Sequence, residues 1–273
     1  MDISSELVML AAGLIVAGFA SGIIAGLLGV GGGIVLVPVL FQTFIFFDLP
    51  AYLQIHMAVA TSLAIICFTG FQSARSHYKR GAVDVEILRS WGMFIALGAL
   101  TGAVAARFIA PTGLKLVFAA ITLSIGLRML FNRDGGEGAG KAITRATQKA
   151  LSTLIGFFSA LMGIGGGTLS VPLLGMAGRD VHRAVGTSSA LGVIIAVPAT
   201  IGFILAGWSL EGLPPLSLGY VNVLALALMI PTSMLGAPLG ARLAHRISKP
   251  RLNYIFAGFL LLSAARMLAS LLG

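Results

Sequence analysis

Gly29-Val-Gly-Gly-Gly-Ile-Val-Leu-Val-Pro38 and Gly163-Ile-Gly-Gly-Gly-Thr-Leu-Ser-Val-Pro172 are one motif written twice, about half a chain apart. Further along each half, His56-Met-Ala-Val-Ala-Thr-Ser62 is answered by His182-Arg-Ala-Val-Gly-Thr-Ser188. Ala106-Arg107 then pairs with Ala241-Arg242, and Arg128-Met-Leu130 with Arg266-Met-Leu268. Four matches in one order point to an internal duplication, the kind of weak internal symmetry that membrane carriers keep.

The glycine runs interrupt apolar sequence. Of 273 residues, 58% are apolar and only 10% charged, against about 25% charged in soluble domains. The 36 glycines show no period of three and no Pro/Ser-rich tract accompanies them, which excludes collagen and disorder. A net charge of +9 is compatible with nucleic acid only if a basic patch lies on a soluble fold, and no segment supplies one. The single cysteine, Cys67, lies in an apolar run and reads as a small core hydrophobe. Met1-Asp-Ile-Ser-Ser-Glu6 lacks the basic start of a signal peptide, so the first apolar stretch is expected to stay in the membrane.

A bilayer core of roughly 30 Å needs about 20 apolar residues per helix. Single spans are predicted at about 55–74, 91–110, 114–131, 184–207, 219–241 and 253–272. Residues 7–47 and 150–177 are instead broken by the glycine runs. Basic residues orient the chain: fifteen of the 18 fall in 75–90, 128–149, 179–183 and 242–251, and only Arg107, Lys115 and Arg266 lie elsewhere. The positive-inside rule makes those segments cytoplasmic. Both ends of 150–177 are then on one side, and Leu151 to Gly163 make only roughly 20 Å of helix. This region should enter, turn at the glycines near mid-membrane and leave by the side it entered. Residues 7–47 should do the same from outside, with arms long enough for two near-complete spans. One hairpin plus three crossings is an odd number, so the second half is inverted. The expectation is an all-α polytopic membrane protein of two inverted-topology repeats, 1–131 and 150–273, joined by a basic cytoplasmic linker, 132–149.

Irregular backbone at membrane depth is tolerated where protein buries it or a water-filled cavity receives it, so the two turns should meet. Gly31, Gly32 and Gly33, with Gly165, Gly166, Gly167 and Thr168, would then form a substrate site. Helices leaving such turns present free N–H groups and a positive dipole end to an anion. Tight helix packing is the competing reason for the glycines. Thr61, Ser62, Thr187 and Ser188 offer hydroxyls at matched positions; they either meet an oxyanion or bond their own helix backbone. His56 and His182 sit at span ends, as caps or as candidates for a proton-linked step. The nine acidic residues avoid the middle of every span, which disfavours a cation substrate. Paired acids, HxxxH and CxxC are lacking, so an enzyme is not expected and no cofactor or metal is implied.

The repeated G-[VI]-G-G-G-x4-P and H-x-A-V-[AG]-T-S resemble the sulfite exporter TauE/SafE family, also called the toluene-sulfonate uptake permease family. The resemblance covers nearly the whole chain. It implies secondary transport of a small sulfur-containing or organic anion, such as sulfite, sulfoacetate or another sulfonate, across a bacterial inner membrane. Protons or the membrane potential would drive it, and the glycine turns and Thr-Ser pairs would form the site. An anion channel is the alternative. Partners are then the lipid bilayer and the anion, not nucleic acid, and none of these features specifies an oligomer.

Overall fold

The computed structural model describes residues 3–28, 33–131, 144–176, 178–244 and 247–271. The first half forms α1 (Ile3–Leu28), α2 (Gly33–Phe46), α3 (Ala51–Lys79), α4 (Val85–Ala106) and α5 (Pro111–Phe131). The second forms α6 (Arg145–Met162), α7 (Gly167–Met176), α8 (Val181–Gly207), α9 (Val223–Ala244) and α10 (Lys249–Ala269). Seven of these are long and apolar enough to cross a membrane: α1, α3, α4, α5, α8, α9 and α10. The six single spans read from the sequence correspond to six of them. Their starts shift by a few residues: α3, α4 and α10 begin at Ala51, Val85 and Lys249, before the expected 55, 91 and 253, while the segment expected from 219 becomes helical only at Val223. A two-residue antiparallel hairpin, β1 (Ser217–Leu218) with β2 (Val221–Asn222), occupies the preceding turns.

Both broken regions are a longer helix followed by a short one. The 14 residues of α2 rise about 21 Å and the 10 of α7 about 15 Å, both short of the bilayer core. Residues 7–47 are therefore not two near-complete spans. Pro38 and Pro172 lie inside these short helices at matching places; each removes one helical hydrogen bond and limits how regular the helix can be.

Packing partners map onto each other when first-half helices are exchanged for their second-half counterparts. Helix α1 packs on α9 as α6 packs on α4, while α3 pairs with α8 and α5 with α10. Small residues permit the first two crossings. A Cβ at Gly22 would strike the Ser233 backbone, and one at Gly26 the Ala237 carbonyl. A Cβ at Gly98 would strike the Thr153 carbonyl, and one at Gly156 the Ile95 carbonyl. The order of these contacts makes α1 parallel to α9 and α4 parallel to α6. Without a hydrophobic drive between helices in lipid, close backbone approach of this kind is what holds them.

Helix α3 is the most enclosed of the seven spans, with Ile55 to Ile66 buried without a break. It forms the centre of the bundle with α8 across it. The bundle has two ends. Asp84 contacts Arg179, Ala82 abuts Gly186, and Asn253 donates to the Met129 carbonyl at one. His56, Ala106, Tyr220, Lys115 and Ser270 gather at the other.

Candidate functional site

The second glycine turn is built by its own sequence. Helix α6 ends on Gly163, whose φ of 66° is left-handed; glycine occupies that region without the penalty of a Cβ. A side chain there would also run into Val37 at 2.6 Å and the Val59 backbone at 2.9 Å. The Gly163 carbonyl, freed by the turn, accepts from Ser62 Oγ at 2.8 Å. Helix α7 then opens, its first helical bond running from the Ser170 N–H to the Gly166 carbonyl at 2.8 Å. The N–H groups of Gly167, Thr168 and Leu169 are the first-turn donors that a helix leaves without an internal partner.

The other half comes to meet them. A Cβ on Gly33, the first residue of α2, would lie 2.7 Å from the Gly165 nitrogen and 3.0 Å from the Ile164 Cα. Ile66 of α3 flanks the contact, and Gly192 of α8 backs Gly165 and Gly166. Gly33 and the second turn thus meet against the middles of the two central helices. Gly31 and Gly32 lie outside the described residues.

Hydroxyls are distributed unequally between the two motifs. Thr168 Oγ1 and Ser170 Oγ on α7, with Ser159 Oγ on α6, are buried and have no hydrogen-bond partner among the described residues. Thr168 is 9% exposed and Ser170 fully enclosed. Their counterparts in the first motif are Ile34 and Leu36. A buried hydroxyl without a partner is costly, and a ligand with acceptor oxygens removes that cost.

The Thr-Ser pairs divide their work. Ser62 supports the turn, and the Ser188 carbonyl lies 2.9 Å from where a Cβ on Gly166 would stand. Ser188 Oγ donates to the Val185 carbonyl of its own helix at 2.9 Å. Thr61 and Thr187 hold helix starts that belong to the opposite half. Thr187 Oγ1 accepts the Asp84 N–H at 2.9 Å, and Thr61 Oγ1 accepts the Asn222 N–H at 3.0 Å. Asp84 and Asn222 are the residues that open α4 and α9. Asp84 Oδ1 accepts from Glu86 N–H and Ile87 N–H, and Asn222 Oδ1 from Ala225 N–H. Sequence reasoning considered Asn222 only as a residue that could line the pathway and missed the capping role of both. The signal available was residue type, since Asp and Asn are favoured immediately before a helix.

The matched histidines differ. His56 is 3% exposed and stacks on Tyr220, ring centroids 5.1 Å apart. Its Nε2 donates to the Ala106 carbonyl at 3.0 Å, and its Nδ1 is buried with no hydrogen-bond partner among the described residues. His182 is exposed beside the start of α8. Lys115 is turned inward, donating to the Ser270 carbonyl at 3.3 Å and lying 5.1 Å from the Phe41 ring centroid. Among the described residues no three His, Cys, Asp or Glu side chains gather as metal ligands.

The profile of the family described as "Sulfite exporter TauE/SafE" matches residues 14–267. A "Probable membrane transporter protein" of Haemophilus influenzae is 31% identical over 251 residues, covering 92% of this chain and 95% of its own. One from Methanocaldococcus jannaschii is 27% identical over 257 residues, covering 93% and 94%. A third, from Bacillus subtilis, is 30% identical over 239 residues, covering 85% and 89%. No solved structure matches the chain.

Proposed function

The chain belongs to the sulfite exporter TauE/SafE family of membrane transporters, and from that premise we propose that it carries a small sulfur-containing or organic anion by alternating access around the paired glycine turns. The observation that carries the reading is the start of α7. Its first-turn N–H groups, which a helix leaves without an internal partner, and the buried Thr168 and Ser170 hydroxyls, unpartnered among the described residues, belong to the helix whose preceding turn, at Gly165, abuts Gly33 of the other half. Such a site attracts an anion by dipole and hydrogen bonds without the cost of a buried cation.

Secondary transport follows from the duplication. Two halves with exchanged packing partners can rock against each other while the site stays between them. We read the halves as inverted, 1–131 against 150–273, in a bacterial inner membrane with the basic end cytoplasmic. His56, whose buried Nδ1 has no hydrogen-bond partner among the described residues, is the candidate for a proton-linked step; exposed His182 has less to recommend it.

The test is thermal stabilisation of detergent-purified protein by sulfite, sulfate, sulfoacetate, taurine, acetate and chloride. A shift confined to sulfite or sulfonates, and lost in Thr168→Val, supports the site and names its class. No shift with any of them, in folded protein, removes the small-anion reading. Saturable counterflow in vesicles separates a carrier from a channel.

A further inference from the structure

The Arg266 end of α10 carries a second feature that the transport reading does not use. A cavity of about 590 Å³ opens between α1, α2 and α10, within the size range of ligand sites. Its wall is mostly apolar, with Met9, Ala12, Phe46 and Phe47 on it, and its polar edge is Gln42 and Arg266. Arg266 Nε donates to Gln42 Oε1 at 3.3 Å, which fixes the plane of the guanidinium. The remaining guanidinium N–H groups have no partner among the described residues, and no carboxylate pairs with Arg266. Phe46 is 78% exposed, so this apolar wall faces the surroundings.

Arg266 is also anomalous by position. It is one of three basic residues outside the basic segments. Of the other two, Lys115 is buried against Phe41 and the Ser270 carbonyl, while Arg107 does not line this cavity. Near the end of α10, Arg266 stands at headgroup depth if α10 spans the bilayer.

We propose that this cavity is a phospholipid site, with one acyl chain along the Phe46 wall and the phosphate on Arg266. A planar guanidinium held by one hydrogen bond keeps a free edge for two phosphate oxygens, and an arginine near the end of a membrane helix reaches the headgroup layer. The occupant is a lipid rather than the transported anion because the wall is apolar and opens sideways.

Native mass spectrometry of the delipidated full chain titrated with phosphatidylglycerol tests this. One lipid per chain should be held, and Arg266→Gln should weaken it about tenfold, the loss of one charged contact. Ala12→Phe, which fills the exposed groove and keeps the charge, should weaken it comparably; Arg107→Gln should not. Circular dichroism checks that each variant is folded. Equal retention by wild type, Arg266→Gln and Ala12→Phe overturns the site. Displacement of the lipid by soluble glycerol phosphate would make it a free-anion site, and a dimer peak lost in Ala12→Phe would make the occupant a second copy; either also overturns it.

Discussion

Thr168 and Thr187 are both buried threonines near the start of a helix, yet they face opposite demands. Thr187 Oγ1 is committed to the Asp84 N–H and Thr61 Oγ1 to the Asn222 N–H, whereas Thr168 Oγ1 has no partner among the described residues. Valine keeps the shape and removes the oxygen. Thr187→Val and Thr61→Val each leave a buried N–H unsatisfied and should cost about 1–3 kcal/mol of stability, read from unfolding in detergent. Thr168→Val removes an orphan instead, so stability should hold or rise. Its effect should fall on anion affinity, about tenfold weaker for one lost hydrogen bond to a charged group, read by titration of the stabilising anion. A loss of stability in Thr168→Val with affinity intact would reverse the two roles. The glycine turn and Thr168 were legible in the sequence because they are written in one short stretch. The partners of Thr61 and Thr187 were not, because they lie 161 and 103 residues away and no local pattern links them.

At the scale of elements, the glycines of the spans outside the motif decide which helices can touch. Gly98 and Gly156 stand where a Cβ would strike the backbone of the facing helix, while Gly258 on α10 has nothing within 4 Å. Gly98→Val and Gly156→Val should therefore separate α4 from α6, at a cost above the ~1–3 kcal/mol of ordinary overpacking because backbone cannot move aside as a side chain can. Gly258→Val is the silent control; size-exclusion profiles and melting in detergent read all three. The four-residue spacing of Gly18, Gly22 and Gly26 marks a packing face in the sequence alone. It does not say that the face belongs to α9, and the expected hairpins gave no hint that each first arm binds the opposite half. A smaller device sits at the start of α8. The Arg183 N–H donates to Asp180 Oδ1 at 3.0 Å, and this bond holds the carboxyl below its ordinary range. A depressed acid contributes stability above its unfolded pKa and loses it as pH falls through the folded value. Asp180→Asn should remove that acid-side dependence; identical melting-against-pH curves for mutant and wild type would show that the cap is not felt.

For the whole molecule, the two helix starts held by the threonines lie at opposite ends of the bundle and carry different charge. Asn222 is neutral, while Asp84, 9% exposed, also meets Arg179 Nε at 2.9 Å, an ion pair in contact rather than an aligned hydrogen bond. Arg179 lies between α7 and α8, so this pair ties the halves at the basic end. If the halves rock, that end must release an ionic contact that the other end lacks among the described residues. Arg179→Gln leaves a nearly buried carboxylate without its cation and should destabilise by about 1–3 kcal/mol, below the range for a fully buried pair because the arginine is one-third exposed. Adding Asp84→Asn gives this end the residue the other end already uses, keeps the cap on α4 and should restore most of the loss. Access reports the transport side of the same argument. In a Cys67→Ala background, cysteines at Arg80 and Ser209, both exposed, should label from opposite faces of sealed vesicles; labelling from one face would refute the orientation. The double variant should then expose the basic end more often, seen as faster reagent labelling of a cysteine at Ser189, whose hydroxyl meets Ser73 of α3 at 3.3 Å in the closed bundle. If that rate is unchanged while stability is restored, the ion pair is scaffold and not part of the gate.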